Sequence, residues 1–205
     1  MIRPGMIPRH LVIGVGAMVL VVLLMGIYVW HMRGRASELP AAQTDTRPVT
    51  APVAGPTEQI TLYVAHDNPG ILRPQSARIP LPSGRQQRAE ELLRALVNVY
   101  LDSASPHPLP RGAEVRNVYL VPPDLAVIDT NSALADGHRS GILEEELTVA
   151  SLVETLAANT PGITRIRILV DGKERDSLAG HADLSGFYDV AAVTKLIEQM
   201  QSGQQ

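Results

Sequence analysis

Hydrophobic and polar positions along this chain follow three rhythms, and each predicts a different kind of structure. From Leu11 to Trp30 the run is apolar on every side, with no charged residue between Arg9 and Arg33. About twenty residues rising about 1.5 Å each cross a hydrocarbon core of about 30 Å, so the run predicts one transmembrane helix. A helix pairs its backbone groups internally, as lipid requires. Tyr28 and Trp30 lie at its far end, where amphipathic rings favour the headgroup layer. A cleaved signal peptide would show a small-x-small site after the run, and Trp30-His31-Met32-Arg33 stands there instead. Residues 31–57 have no apolar period and are rich in Ala, Pro and Thr, the composition of an extended linker.

Period-two and helical patterns then alternate. Gln59 to Ala65 sets Ile60, Leu62 and Val64 against Thr61 and Tyr63, a strand. Asn68-Pro69-Gly70 marks a turn, and Ala77 to Leu81 reads as a short edge piece. Ser83-Gly-Arg-Gln86 fits a capping box before Ala89, Leu92, Leu93, Leu96, Val97 and Tyr100, which recur at helical spacing up to about Asp102. Ala113 to Leu120 and Leu125 to Thr130 read as a strand pair. A second helix spans about Leu143 to Ala158, with Glu144, Glu145 and Glu146 at the end where the dipole favours anions. Ile163 to Val170 is a strand, with Arg165 and Arg167 facing water. Asp171-Gly172 supplies a positive-φ turn, and Lys173 to Leu178 returns as the last strand. Asp189 to Gln201 is a short terminal helix. The expected fold is α+β, a two-layer β-α-β-β-α-β-β module with its helices on one face of a mixed sheet.

Charge and composition prune the functions. The first 56 residues carry five Arg against Glu38 and Asp45, a net of +3; the rest carries 13 basic against 19 acidic residues, a net of −6. An acidic domain is a poor binder of phosphate backbones, so nucleic acid is not an expected partner. With no cysteine, the chain has no disulfide, thiolate metal site, cysteine nucleophile or lipidated cysteine. Arg3 and Arg9 nearly balance Arg33 and Arg35, and the short basic head with a long tail favours an N-terminus inside the cell.

Few residues suggest chemistry. Asp129-Thr130 at a strand end resembles an aspartic-protease turn, but Asn131 replaces the glycine and a second copy is absent. The alternative is a carboxylate that hydrogen-bonds the neighbouring turn. His181 and Asp183 offer two metal ligands where zinc takes three or four, and fixing the loop is their more economical role. No Gly-x-Ser-x-Gly elbow supports a serine nucleophile.

The order and spacing of several pieces resemble the GerMN domain of sporulation and spore-germination proteins. These are Val127-Ile128-Asp129, the Glu-rich helix ending in Thr155-Leu156, Pro161-Gly162-Ile163, Val170-Asp171-Gly172-Lys173, and Leu178-Ala-Gly180-His181-Ala-Asp183-Leu184-Ser185. The resemblance spans about Ile60 to Leu184. It makes Asp129, Asp171, Gly172, Gly180, His181 and Asp183 signature positions of structural or interaction value. It implies a membrane-tethered, non-enzymatic domain outside the cytoplasm, without cofactor or metal, in envelope assembly. The family fold resembles ring-building modules of secretion assemblies, which implies contact with other envelope proteins or with itself. The expected organisation is a cytoplasmic head (1–10), a membrane helix (11–30), a linker (31–57), the GerMN-like domain (58–186) and a C-terminal helix and tail (187–205). The competing expectations are a membrane-bound hydrolase acting through Asp129 and a cell-wall-binding module. Too few aromatics are present for a sugar-stacking platform. A small-molecule ligand is not specified by any motif.

Overall fold

A hairpin of two ten-residue strands opens the folded part. Strand β1 (Thr57–His66) pairs antiparallel with β2 (Ile71–Pro80) in unbroken register from Thr57↔Pro80 to His66↔Ile71. The computed structural model describes residues 55–202, together with Val22, Leu23 and Met25, which are helical. The rest of the expected membrane helix, the basic head and most of the linker lie outside the described residues. Among the described residues no helix is long and apolar enough to cross a membrane.

The edge piece expected at Ala77–Leu81 is a full-length strand. Only Leu72 and Ile79 of β2 are buried, and Arg73 to Ser76 are exposed, so its own pattern conceals it. Pairing with β1 makes it a strand, and Pro74 is tolerated because this is an outer strand. Among the described residues, no strand lies along the other edge of β1. Helix side chains take that place: Thr61 N–H donates to Asn159 Oδ1 (3.2 Å), Tyr63 N–H to Thr155 Oγ1 (2.9 Å) and Ala65 N–H to Tyr100 OH (2.8 Å). Backbone donors that would otherwise be orphaned are satisfied, and the edge is closed to other strands.

Helix α1 (Arg85–Leu101) buries the six residues that the helical period predicts, Ala89 to Tyr100. Its capping differs from expectation. Gly84 is the N-cap and offers no side chain, while Gln87 rather than Gln86 reaches back to Ser83 N–H (3.0 Å) and Oγ (2.5 Å). The helix begins one residue further on than the motif implied. Arg88 ties α1 to β1 through Glu58, with Nε 3.0 Å from each carboxylate oxygen.

The second sheet has the order β3 (Val115–Val121), β4 (Leu125–Thr130), β5 (Arg165–Val170) and β6 (Tyr188–Asp189). β3 and β6 run antiparallel to their neighbours, and β4 and β5 are parallel. A parallel pair needs a long crossover. Here it is the short helix α2 (Ser132–Asp136) and then α3 (Ile142–Asn159). Helix α4 (Val190–Ser202) follows β6 and packs on α3. α3 lies against β1, α1 against β3, and the two helices against each other. Val118, Ile128, Ile166 and Ile168 of the second sheet join Leu92, Leu93, Leu147 and Leu156 of the helices in one core.

The class is therefore α+β as expected, with a correction: the described residues form two sheets rather than one. The expected last strand at Lys173–Leu178 is absent. Its turn forms, since Val170 and Lys173 exchange backbone bonds of 2.9 and 3.0 Å around Asp171 (φ 51) and Gly172 (φ 71). Both central residues have the positive φ of a type I′ turn. The return does not propagate, because Lys173 to Asp176 are charged and give the sheet no apolar face. Helix α2 and strand β6, at five and two residues, are too short to show a period.

Candidate functional site

Glu145 organises the region after that turn. It sits in the first turns of α3 and is fully buried. Its Oε2 accepts from the backbone N–H groups of Ala179 (3.0 Å), His181 (2.8 Å) and Ala182 (3.0 Å). Its Oε1 accepts from His181 Nδ1 (2.9 Å) and Gly141 N–H (3.3 Å). Burial by itself would raise this carboxyl. The His181 side chain and the three backbone donors outweigh it and bring it to about 2. The sequence sets Glu145 among three glutamates at the helix start, where the dipole favours anions, and gives it no further role. A signal was available: Glu145, Val149, Leu152 and Leu156 fall at i, i+4, i+7 and i+11, on the buried stripe.

The residues expected to be signature positions fall into two groups, and Glu145 holds one of them. His181 and Gly180 (φ 125) lie in the loop that it captures. Asp183 closes that loop, its Oδ1 accepting from Ser185 N–H (2.8 Å) and Oγ (2.6 Å). These two bonds hold the Asp183 carboxyl below the ordinary carboxylate range. Tyr188 OH donates to the Asp183 carbonyl. The second group surrounds the β5 turn. Asp129, only 6% exposed, accepts from Gly172 N–H at 2.7 Å. Asp171 pairs with Arg116 at 2.8 Å and accepts from Ser132 N–H at 3.3 Å. Asn131, where a protease would have glycine, caps α2 by accepting from Leu134 N–H at 3.0 Å. Asp129 thus bonds a turn 43 residues away rather than the one that follows it.

Beside the captured loop lies an open cleft of about 280 Å³ between α3 and α4. Its floor is apolar: Val149, Ala150, Ala182 and Leu196. Glu146, His181, Asp183 and Tyr188 form its polar lining. Burial, then the Asp183 and Glu146 carboxylates, push the Tyr188 phenol up to about 12, so it stays a neutral donor. Among the described residues no three His, Asp or Glu side chains could together hold a metal ion.

A second polar cluster went unread in the sequence. His107 is buried between Asp67 (Nδ1 to Oδ1, 2.5 Å) and Thr148 (Nε2 to Oγ1, 2.6 Å). His138 Nε2 meets the same Thr148 oxygen at 2.7 Å, and its Nδ1 donates to the Arg139 carbonyl at 2.7 Å. Arg139 also pairs with Asp67. Burial lowers both imidazoles, against the opposing pull of Asp67 on His107 and of the Arg139 carbonyl on His138. Isolated histidines in loops carry no period, so only the fold reveals their convergence. Of the arginine pair, Arg165 is exposed as expected and Arg167 is not. Both guanidinium groups stack on Phe187, at 5.8 and 5.0 Å from the ring centre, and Arg167 is only 18% exposed beside Glu174.

The family model for Germane, described as sporulation and spore germination, matches residues 61–176. The chain belongs to the Germane family. Asp129, Asp171 and Gly172 fall inside the matched span, and Gly180, His181 and Asp183 lie beyond it. The fold is similar to the tandem GerMN domains of the sporulation protein GerM from Bacillus subtilis. That likeness has TM-score 0.50 and 20% identity, over 65% of this chain and 46% of that one. At this identity it concerns the fold. The first GerMN domain of the same protein matches at TM-score 0.45 and 20% identity, over 62% of this chain and 92% of that one. A comparison with curated proteins finds no match.

Proposed function

We propose that this Germane-family chain is a membrane-anchored, extracytoplasmic and non-enzymatic interaction module acting in envelope assembly during sporulation or germination. The apolar run Leu11–Trp30 moors it, the Pro-rich segment holds the domain off the bilayer, and its partners are other envelope proteins or further copies of itself. One observation carries the non-enzymatic part. The buried carboxylates that could perform acid–base chemistry are already committed to backbone donors, Glu145 to the 179–182 loop and Asp129 to Gly172. Their role is to hold loops in shape, which is what a recognition surface needs. The signature positions act here as supports: Asp129, Asp171 and Gly172 shape one turn, and Gly180, His181 and Asp183 shape the wall of the cleft.

The compartment is tested by fusing alkaline phosphatase after Gln205. Active phosphatase and a polypeptide that resists alkaline carbonate extraction are expected; a carbonate-soluble chain would sink the anchor. The competing hydrolase reading is tested by Asp129→Asn. Peptide cleavage that this substitution abolished without unfolding would overturn the non-enzymatic assignment. A pull-down on purified cell wall checks the remaining alternative, and retention by wall depleted of protein would favour it.

A further inference from the structure

The cleft between α3 and α4 combines an apolar floor with an anionic lining. Val149, Ala150, Ala182 and Leu196 offer a surface for an aliphatic stem. Glu146 and Asp183 supply two carboxylates, and the lining contains no Arg or Lys. The wall is built before any ligand arrives. Glu145 pins the backbone at 179–182, and Ser185 holds Asp183 from two directions. Fixed groups recognise a ligand with little ordering cost. The space, about 280 Å³, suits one long side chain rather than a helix or a strand.

We propose that this cleft is a docking pocket for an arginine side chain of a partner envelope protein. The stem lies along the apolar floor, and the guanidinium meets the carboxylates of Glu146 and Asp183. Charge and shape both favour this occupant. A purely apolar residue would leave two carboxylates poorly solvated, and an acidic one would be repelled. Arginine keeps its charge when partly desolvated and carries several donors in one plane. The proposal rests on the interaction reading above and names the chemistry of the partner.

The test uses the full-length chain in detergent micelles, with N-acetyl-arginine amide as the probe and the norleucine and glutamate amides as controls. Saturable amide-shift changes at Val149, Ala182, Asp183 and Tyr188 are expected with arginine. Norleucine should bind at least about threefold more weakly and glutamate not at all. Glu146→Gln, which disturbs no hydrogen bond of the fold, should weaken the arginine probe about threefold, and Glu146→Lys should abolish it. Equal response to arginine and norleucine, or no saturable shift in the cleft, overturns the proposal. In cells, a photo-crosslinking residue at Leu196 is compared with one at Tyr119 on the second sheet. A Leu196 crosslink to an arginine-bearing segment, lost in Glu146→Lys, supports the pocket. Crosslinks from Tyr119 alone overturn the pocket and leave the interaction reading standing. Silence at both sites counts against the interaction reading itself.

Discussion

Glu145 shows how one residue can set the local structure of a distant segment. Its carboxylate is buried and ionised because four backbone N–H groups and an imidazole surround it. Glu145→Ala should destabilise the domain by about 2–4 kcal/mol in urea unfolding at neutral pH, since it leaves those donors without an acceptor. The pH dependence has a definite sign. The folded carboxyl lies at about 2 against an ordinary 4.5, so its stabilisation is complete above pH 4.5 and is lost as pH falls toward 2. Acid titration of the unfolding midpoint should show this loss in the parent chain, and Glu145→Gln should remove that component.

The His107–Thr148–His138 cluster is tuned in a different pH range. His138 Nδ1 faces a carbonyl and His107 Nδ1 a carboxylate, so both nitrogens carry protons. Neutral rings then present two accepting Nε2 atoms to a single Thr148 hydroxyl. Burial nevertheless holds both imidazoles below their ordinary 6.5. The unfolded chain therefore binds more protons below that value, and stability should decline as pH falls through 6.5. The His107 and His138 resonances followed by NMR should titrate below 6.5 in the folded chain. Thr148→Val should shift those midpoints, because it removes the oxygen the two rings share.

At the level of elements, β1 is completed by helices rather than by a second strand on its outer side. Thr155, Asn159 and Tyr100 act as its missing neighbour. Tyr100→Phe keeps the ring in the core but deprives Ala65 N–H of its acceptor, at a cost of about 1–3 kcal/mol in unfolding free energy. The β5 turn has a backbone requirement instead. A Cβ on Gly172 would meet nothing within 4 Å, so only its φ of 71 resists substitution. Gly172→Ala should therefore cost about 1–2 kcal/mol, measured by thermal or urea unfolding. A loss far beyond that range would point to a packing role.

At the level of the molecule, what was legible in the sequence follows from period. The apolar spacings of α1 and α3, the alternation in β1 and β5, and the Asp171-Gly172 turn are local properties, and each stands where the chain predicts it. The family resemblance was legible too, since it lay in the order of such local pieces. What remained hidden depends on partners far along the chain. β2 is a strand only because β1 pairs with it, and the loop at 179–182 takes its shape from Glu145, more than thirty residues earlier. The short α2 and β6 span too few residues to carry a period.

The chain's own order of residues determined that this is a Germane-type α+β domain following a greasy amino-terminal run, with an acidic, cysteine-free surface. Tertiary structure alone decided that Glu145 is a buried anchor, that two loop histidines share one hydroxyl, and that a cleft with anionic lining opens beside His181. The physical reason is range: backbone propensity and amphipathic period act within a few residues. Hydrogen bonding of a buried carboxylate links positions more than thirty residues apart, as Glu145 does with Ala179, His181 and Ala182.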